Sequence, residues 1–293
     1  MSLEAVFTQL LMGLTVGMNL VLVATGLTLV FGMLGVINFA HSALFMLGAY
    51  GGLVVHRWIG NFWLGLVIAP VAVGVVGAAV ERIFLRSLRT RFPASHLLPL
   101  LLTFGLGLFL EGAAKVVWGA DILSLPKPHL LEGAVQLGPI AFPAYWLFAL
   151  VAAVVLAALV WVLVERTPLG LTIRAATQDP MMASVLGVNV PRLNMIVFAL
   201  GSALAAAAGV ILGALTSLSP QMGTGIVLDA FIAIVIGGLG SFTGAIVGSL
   251  LLGQVQSFGI ALFPAFHTPL VFLVMAVVLI FRPTGLFGVP EHR

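Results

Sequence analysis

The sequence predicts an all-α, polytopic membrane protein with eight or nine transmembrane helices, and three observations lead there. First, 61% of the 293 residues are hydrophobic and only 7% are charged, whereas a soluble domain carries about a quarter charged residues. Twelve Lys and Arg with nine Asp and Glu cannot solvate a 30.6 kDa globule with a mean hydropathy of +1.24, so lipid must be the solvent for most of its surface. Second, apolar runs near the ~20 residues that span a bilayer follow one another with no hydrophilic block large enough to fold separately. The whole chain, 1–293, therefore reads as a single membrane domain. Third, arginines gather in alternate short loops, as topology signals do.

The candidate spans are Phe7–Phe31, Val36–Val55, Phe62–Phe84, Leu97–Trp118, Tyr145–Val164, Leu193–Thr216, Leu228–Val247, Leu250–Phe263 and Pro269–Phe281. Met1–Leu11 carries Glu4 and no basic residue. It lacks the cationic start of a signal peptide, so the first span is expected to be retained. The eighth candidate is short and adjoins the seventh across Gly-rich sequence. Residues 228–263 form either two spans or one span plus a re-entrant segment.

Arg82, Arg86, Arg89 and Arg91 follow the third span, Arg166, Arg174 and Arg192 follow the fifth, and Arg282 and Arg293 close the chain. Nine spans with the N-terminus outside place all of these, and the C-terminus, in the cytoplasm. Only Arg57, Lys115 and Lys127 then fall on the outer side, which fits the positive-inside rule.

Two loops are long. The external one, 119–143, contains Pro126, Pro128, Pro139 and Pro143, which forbid a continuous helix. It is a cap over the outer mouth, a docking site or a plain connection. The cytoplasmic one, 165–192, starts a helix with Thr167 as N-cap and Pro168 at its first position. Gln178, Asp179 and Pro180 break it, and a second short helix over Pro180–Leu186 ends at Gly187. Two short polar-faced helices exceed what a connection needs and suit a surface for a soluble partner.

Gly201, Ala205, Gly209 and Gly213 recur every four residues, as do Gly240, Gly244 and Gly248. Such stripes let helix backbones approach closely in lipid. Polar groups inside spans are costlier and more informative. Asn38, His41, Ser42 and Phe45 are expected on one helical face that continues through Gly48, Ala49 and Gly52, lining either a cavity or a helix contact. Asp229 opens the seventh span as expected here, either as a cap or as a pathway residue. Glu111 and Lys115, spaced i,i+4, are expected to pair with each other.

Several function classes are excluded. There is no cysteine, so disulfides and Cys-based metal or redox sites are absent. The scattered arginines form no dense basic run for nucleic acid. HExxH, GxSxG and metal-ligand spacings are missing. GGLGSFTG at Gly237–Gly244 lacks both phosphate-loop spacings and reads as a membrane bend. A membrane-embedded enzyme is thus disfavoured.

The segment GLTLVFGMLGVINFAHSALFMLGAY, Gly26–Tyr50, resembles the opening signature of the permeases of branched-chain amino acid ABC importers, specifically the shorter LivH-type subunit. Gly170, Ile173-Arg174-Ala175, Asp179, Ala183 and Gly187-Val188-Asn189 resemble that family's ATPase-contacting loop. Leu228-Asp229-Ala230-Phe231 through Gly240 and Gly244 resembles a third motif. Ser42 departs from the pattern, where relatives commonly carry Gly.

This resemblance implies a type II importer-like bundle with an internal pseudo-repeat, in which Asn38–Tyr50 and Asp229–Gly240 are counterparts near the pathway. It implies a second permease subunit of LivM type, two ATP-binding subunits that hold ATP and Mg, and a periplasmic or lipid-anchored solute-binding protein. This chain would bind no cofactor itself and would sit among lipid in the inner membrane of a bacterium or archaeon. The implied pathway residues are Asn38, His41, Ser42, Phe45 and Asp229, and the implied coupling residues Gly170, Arg174, Asp179, Ala183 and Gly187. Urea, short amides or other small acids are alternative solutes within the same family. An ion-coupled secondary transporter is the alternative from another class, though it should carry more paired intramembrane charge than His41, Glu111 and Asp229 supply.

Overall fold

The computed structural model describes residues 2–92, 95, 97–138 and 140–288 of the protein. Pro139 of the external loop and the closing Arg293 lie outside the described residues. Among those described are twelve α-helices and one small hairpin: α1 Leu3–Leu34, α2 His41–Ile59, α3 Phe62–Val80, α4 Arg86–Arg91, α5 Leu97–Trp118, β1 Ala134–Leu137, β2 Ile140–Pro143, α6 Ala144–Arg166, α7 Pro168–Gln178, α8 Pro180–Val185, α9 Val190–Gly213, α10 Met222–Gly237, α11 Phe242–Leu262 and α12 His267–Phe281. Among the described residues, seven continuous helical stretches are long and apolar enough to cross a membrane, including Phe62–Arg91, which joins α3 to α4, and Pro264–Phe281, which adds a 3-10 turn to the start of α12. Neither α2 nor α10 is among them. The first carries His41, Ser42, His56 and Arg57, and the second has only 16 residues. All nine apolar runs of the sequence are therefore helical, but two of the nine are of a different kind.

The central post is α1. Ser2 caps its start, accepting a hydrogen bond from the Ala5 N–H at 3.2 Å, and Gly35 ends it in the left-handed conformation at φ 63°. The middle and C-terminal part of α1 is almost wholly buried, with α9 and α11 packed along it. By contrast α5, α6 and α12 lie at the periphery, and few of their side chains are buried.

The core is assembled through small residues. A β-carbon on Gly201 would stand 2.7 Å from the Gly26 carbonyl oxygen, and one on Gly26 would stand 2.8 Å from that of Gly201. At Gly209 it would overlap the Phe45 carbonyl, and at Gly48 the backbone of Ala206. Lipid tails are as apolar as leucine, so helices associate through close van der Waals contact rather than hydrophobic burial. The stripe on α9 is therefore a packing seam against α1 and α2, as its spacing implies. The polar face of α2 changes character along its length, and from Gly48 onward it is part of that seam.

Residues 228–263 correct the expected boundaries. The expected span Leu228–Val247 is cut by a turn. Gly238 and Gly240 take φ values of 109° and 80°, which L side chains rarely adopt, and Ser241 caps α11 by accepting from the Gly244 N–H at 3.0 Å. Glycines barely alter a hydropathy window, so the apolar run continues where the helix does not. The expected Leu250–Phe263 is the second half of α11. Two antiparallel helices result, joined by the bend that GGLGSFTG suggested. Gly240 belongs to the turn, while Gly244 and Gly248 press against Gly237 and Ala233 of α10.

The loop 119–143 is ordered by its own pairing. Strands β1 and β2 form an antiparallel hairpin with Ala134 opposite Pro143, and Leu123 exchanges backbone hydrogen bonds with Leu218 at 3.0 and 2.8 Å. Leu125, Phe142 and Leu218 are buried beneath it. The loop is thereby fastened to the segment that leads into α10.

Candidate functional site

The start of α2 sets the geometry. After α1 ends, residues 35–40 turn back alongside it, so that His41 Nε2 lies 3.2 Å from the carbonyl oxygen of Val23. That carbonyl belongs to the interior of α1, not to its end. Thr103 on α5 pins this returning segment, accepting from the Phe39 N–H at 3.3 Å and donating to the Leu100 carbonyl at 3.0 Å. Asn38 precedes the helix and does not share its face. Its Oδ1 accepts from the Ala40 N–H at 3.1 Å in a local turn. The expected stripe of Asn38, His41, Ser42 and Phe45 is thus divided, because the helix begins later than its apolar run.

The polar residues sort by direction. His41 is wholly buried against α1 and serves a helix contact. Ser42, whose hydroxyl donates to the Phe39 carbonyl at 3.0 Å, opens on the other side into a cavity of about 390 Å³ between α2, α5 and α10. Phe45 lines an adjoining cavity of about 280 Å³ with Thr216, Ser217, Ser219 and Met222. Gly223, in the first turn of α10, lies so close to the Ser42 backbone that a β-carbon would overlap its carbonyl. The first turns of α2 and α10 therefore meet inside the bundle.

Asp229 is mid-helix in α10, seven residues past its first residue Met222, so it cannot cap that helix. It lines a third cavity, about 190 Å³, with Thr15, Asn19, Thr216 and Gln256. Asn19 is fully buried, and its Nδ2 donates to the Thr15 carbonyl at 2.8 Å. The three cavities surround α10. Asn38–Tyr50 straddles a helix start and Asp229–Gly240 a helix end.

Glu111 is placed differently from expectation. No ion pair joins it to Lys115 among the described residues. Instead its carboxylate lines the 390 Å³ cavity and accepts from the Thr224 hydroxyl at the limiting distance of 3.5 Å. The i,i+4 spacing made Lys115 available, but Glu111 faces α10 while the lysine is exposed. Thr103, Thr224 and Asn19 drew no notice in the sequence. Their only signal was the presence of a polar side chain inside an apolar run.

Helices α7 and α8 are built as their caps predict. Thr167 Oγ1 accepts from the Gly170 N–H at 3.1 Å, Asp179 Oδ1 accepts from the Met182 N–H at 2.9 Å, and Gly187 closes α8 at φ 90°. Gly170 lets α7 touch the end of α6, since a β-carbon there would overlap the Val164 carbonyl. Arg174 donates to that same carbonyl and to Glu165 Oε2 at 3.1 Å, which ties α7 to α6. Ala183 is buried. The polar-faced description fails for α8, because Met181, Val185 and Leu186 stand 78%, 78% and 77% exposed.

Residues 9–282 match the family described as the branched-chain amino acid transport system / permease component. The chain belongs to this family. It is 33% identical, over 97% of its own length and 96% of the relative's, to the high-affinity branched-chain amino acid transport system permease protein BraD of Pseudomonas aeruginosa. It is 32% identical over the same shares to the LivH permease protein of Escherichia coli. The ribose import permease protein RbsC of Escherichia coli is 29% identical over 82% of this chain and 71% of the relative. This permease is accordingly a multi-pass membrane component of a transport system and not an enzyme. In such a system ATP is used through partner subunits.

Proposed function

We propose that the chain is the LivH-type half of a translocation pathway for branched-chain amino acids, and that the cavity between α2, α5 and α10 is its share of that pathway. The observation that carries this reading is the placement of Ser42, Glu111 and Thr224 in a groove that opens away from the packed core. Leu108 and Leu228 at its rim are more than half exposed. A groove open on the side of the subunit is completed by a second subunit, here a LivM-type permease. Phe45 and Asp229 line the neighbouring cavities on the same helix, whereas Asn38 and His41 shape the start of α2.

Two ATP-binding subunits dock beneath α7 and α8. Exposed methionine, valine and leucine on α8, beside the cytoplasmic arginines, suit a protein partner better than water. ATP and Mg are held there, and closure of those subunits moves α8, which passes through α7 and Arg174 to the end of α6. A periplasmic or lipid-anchored binding protein delivers the solute from the side of the hairpin loop. The N-terminus is outside and the C-terminus cytoplasmic, in the inner membrane of a bacterium or archaeon, and 1–293 acts as one membrane domain.

The test is uptake of labelled leucine into vesicles holding this chain, its partner subunits and its binding protein. ATP-dependent uptake that requires the binding protein supports the reading. Stimulation only by a binding protein loaded with urea, an amide or a sugar keeps the mechanism and changes the solute. Uptake by this chain alone on an ion gradient overturns it.

A further inference from the structure

We infer that Glu111 is the residue that recognises an ammonium group on the solute, receiving it as the solute passes through the groove. The inference rests on the pathway reading above and adds a recognition chemistry to it. A carboxylate on a membrane-spanning helix is expensive, and such residues pair with a counter-charge or mark a pathway. Glu111 has no cationic partner among the described residues. Its hydrogen bond is to the Thr224 hydroxyl at 3.5 Å, which is the weak limit of such a contact. The carboxylate is therefore left with most of its lone pairs free and faces a cavity of about 390 Å³, ample for a small solute.

The rest of the wall fixes what that solute looks like. Phe39 packs against Phe104 edge-on at 6.1 Å between ring centroids, and against Phe231 at 5.6 Å. These rings line the same cavity as Glu111. One anionic group set among aromatic faces fits a molecule with an ammonium at one end and an apolar body. A neutral amide or sugar can only hydrogen-bond and leaves the negative charge uncompensated. The ammonium and aliphatic side chain of an amino acid satisfy both parts of the wall, and its carboxylate, which Glu111 repels, is turned to the open side of the groove. A hydrogen bond between an ammonium and a carboxylate is stronger than a neutral one, which makes the carboxylate a filter on passage even where the binding protein sets affinity.

A merely structural role is the competing account, with Glu111 holding α10 through Thr224. Three variants in the assembled transporter separate the two: Glu111→Gln keeps shape and acceptor oxygen but removes charge, Glu111→Asp keeps charge, and Thr224→Val removes the hydroxyl. Leucine uptake and ATP hydrolysis stimulated by the loaded binding protein are read together. The expected result is that Glu111→Gln moves at least about tenfold fewer leucines per ATP, a loss equal to ~1.4 kcal/mol. Its stimulated hydrolysis stays near that of the unaltered transporter, Glu111→Asp is largely rescued, and Thr224→Val, a groove residue without charge, loses clearly less transport per ATP than Glu111→Gln. Normal uptake by Glu111→Gln overturns the inference. So does equal loss in Glu111→Gln and Thr224→Val, or loss of stimulated hydrolysis in both Glu111 variants, since each marks a structural residue. If the unaltered transporter moves a neutral solute and no amino acid, the underlying reading fails first, and this failure is seen without any variant.

Discussion

The two sides of α2 are built from the same short stretch of sequence and behave oppositely. On one side His41 meets the Val23 carbonyl, and further along Gly48 and Gly52 meet Ala206 and Val210 of α9 with no room to spare. On the other side Ser42 faces a cavity shared with Glu111 and Thr224. Tight backbone approach makes one side a fixed post, and a side-chain-lined gap makes the other the proposed path of the solute. In lipid, a helix holds its position through small residues and shape, so polar groups are free to serve the gap. The lesson is that polarity inside a span does not by itself mark a pathway. His41 and Ser42 are adjacent, and only one of them opens onto space.

The largest effect should come from filling the packed side. Gly209→Leu would drive its side chain into the Phe45 carbonyl, and no flexible neighbour can give way. Folded chain recovered from membranes by size-exclusion chromatography is expected to fall close to zero. Normal recovery would break the claim that this side is rigid.

Next comes the surface of α8, which is exposed as the groove is and is the proposed contact with the ATP-binding subunits. Val185→Asp alters only an exposed side chain, so the chain should insert and fold normally. Uptake and solute-stimulated ATP hydrolysis should fall at least about tenfold, because burying an unpaired charge at an interface costs several kcal/mol. Unchanged coupling would show that α8 is not a docking element.

A smaller effect is expected at His41. His41→Leu loses the contact to Val23, worth about 0.6 kcal/mol by the average for hydrogen bonds between membrane helices. The melting temperature should drop slightly while uptake per folded transporter stays the same. A loss of uptake without loss of stability would move His41 to the groove side and blur the comparison.

Much of this was legible in the chain, and the failures share a cause. Composition points to the membrane class, and Thr167, Pro168, Asp179 and Gly187 mark the bounds of α7 and α8 to within a residue, because caps are local chemistry. The glycine stripe on α9 is legible for the same reason, since spacing along one helix is enough. GGLGSFTG marks the bend at Gly238–Ser241, but the span boundary falls at Val247 in the sequence because glycine is nearly neutral in hydropathy. The direction of Glu111 was missed because Lys115 is near in sequence while Thr224 is near only in space. Asp229 was read as a helix opening because nothing local shows that α10 begins at Met222.

The most direct test uses the absence of cysteine from the chain, which lets single cysteines report on water access. Thr224→Cys in the groove and Val155→Cys on the exposed face of α6 are compared in the assembled transporter, using a membrane-impermeant, thiol-reactive cation. The account predicts that Thr224→Cys is labelled, that ATP changes its labelling rate, and that labelling blocks leucine uptake, while Val155→Cys, in lipid, stays unlabelled. Failure to label Thr224→Cys in every state, or labelling that leaves uptake intact, would contradict the assignment of the pathway to the groove between α2, α5 and α10.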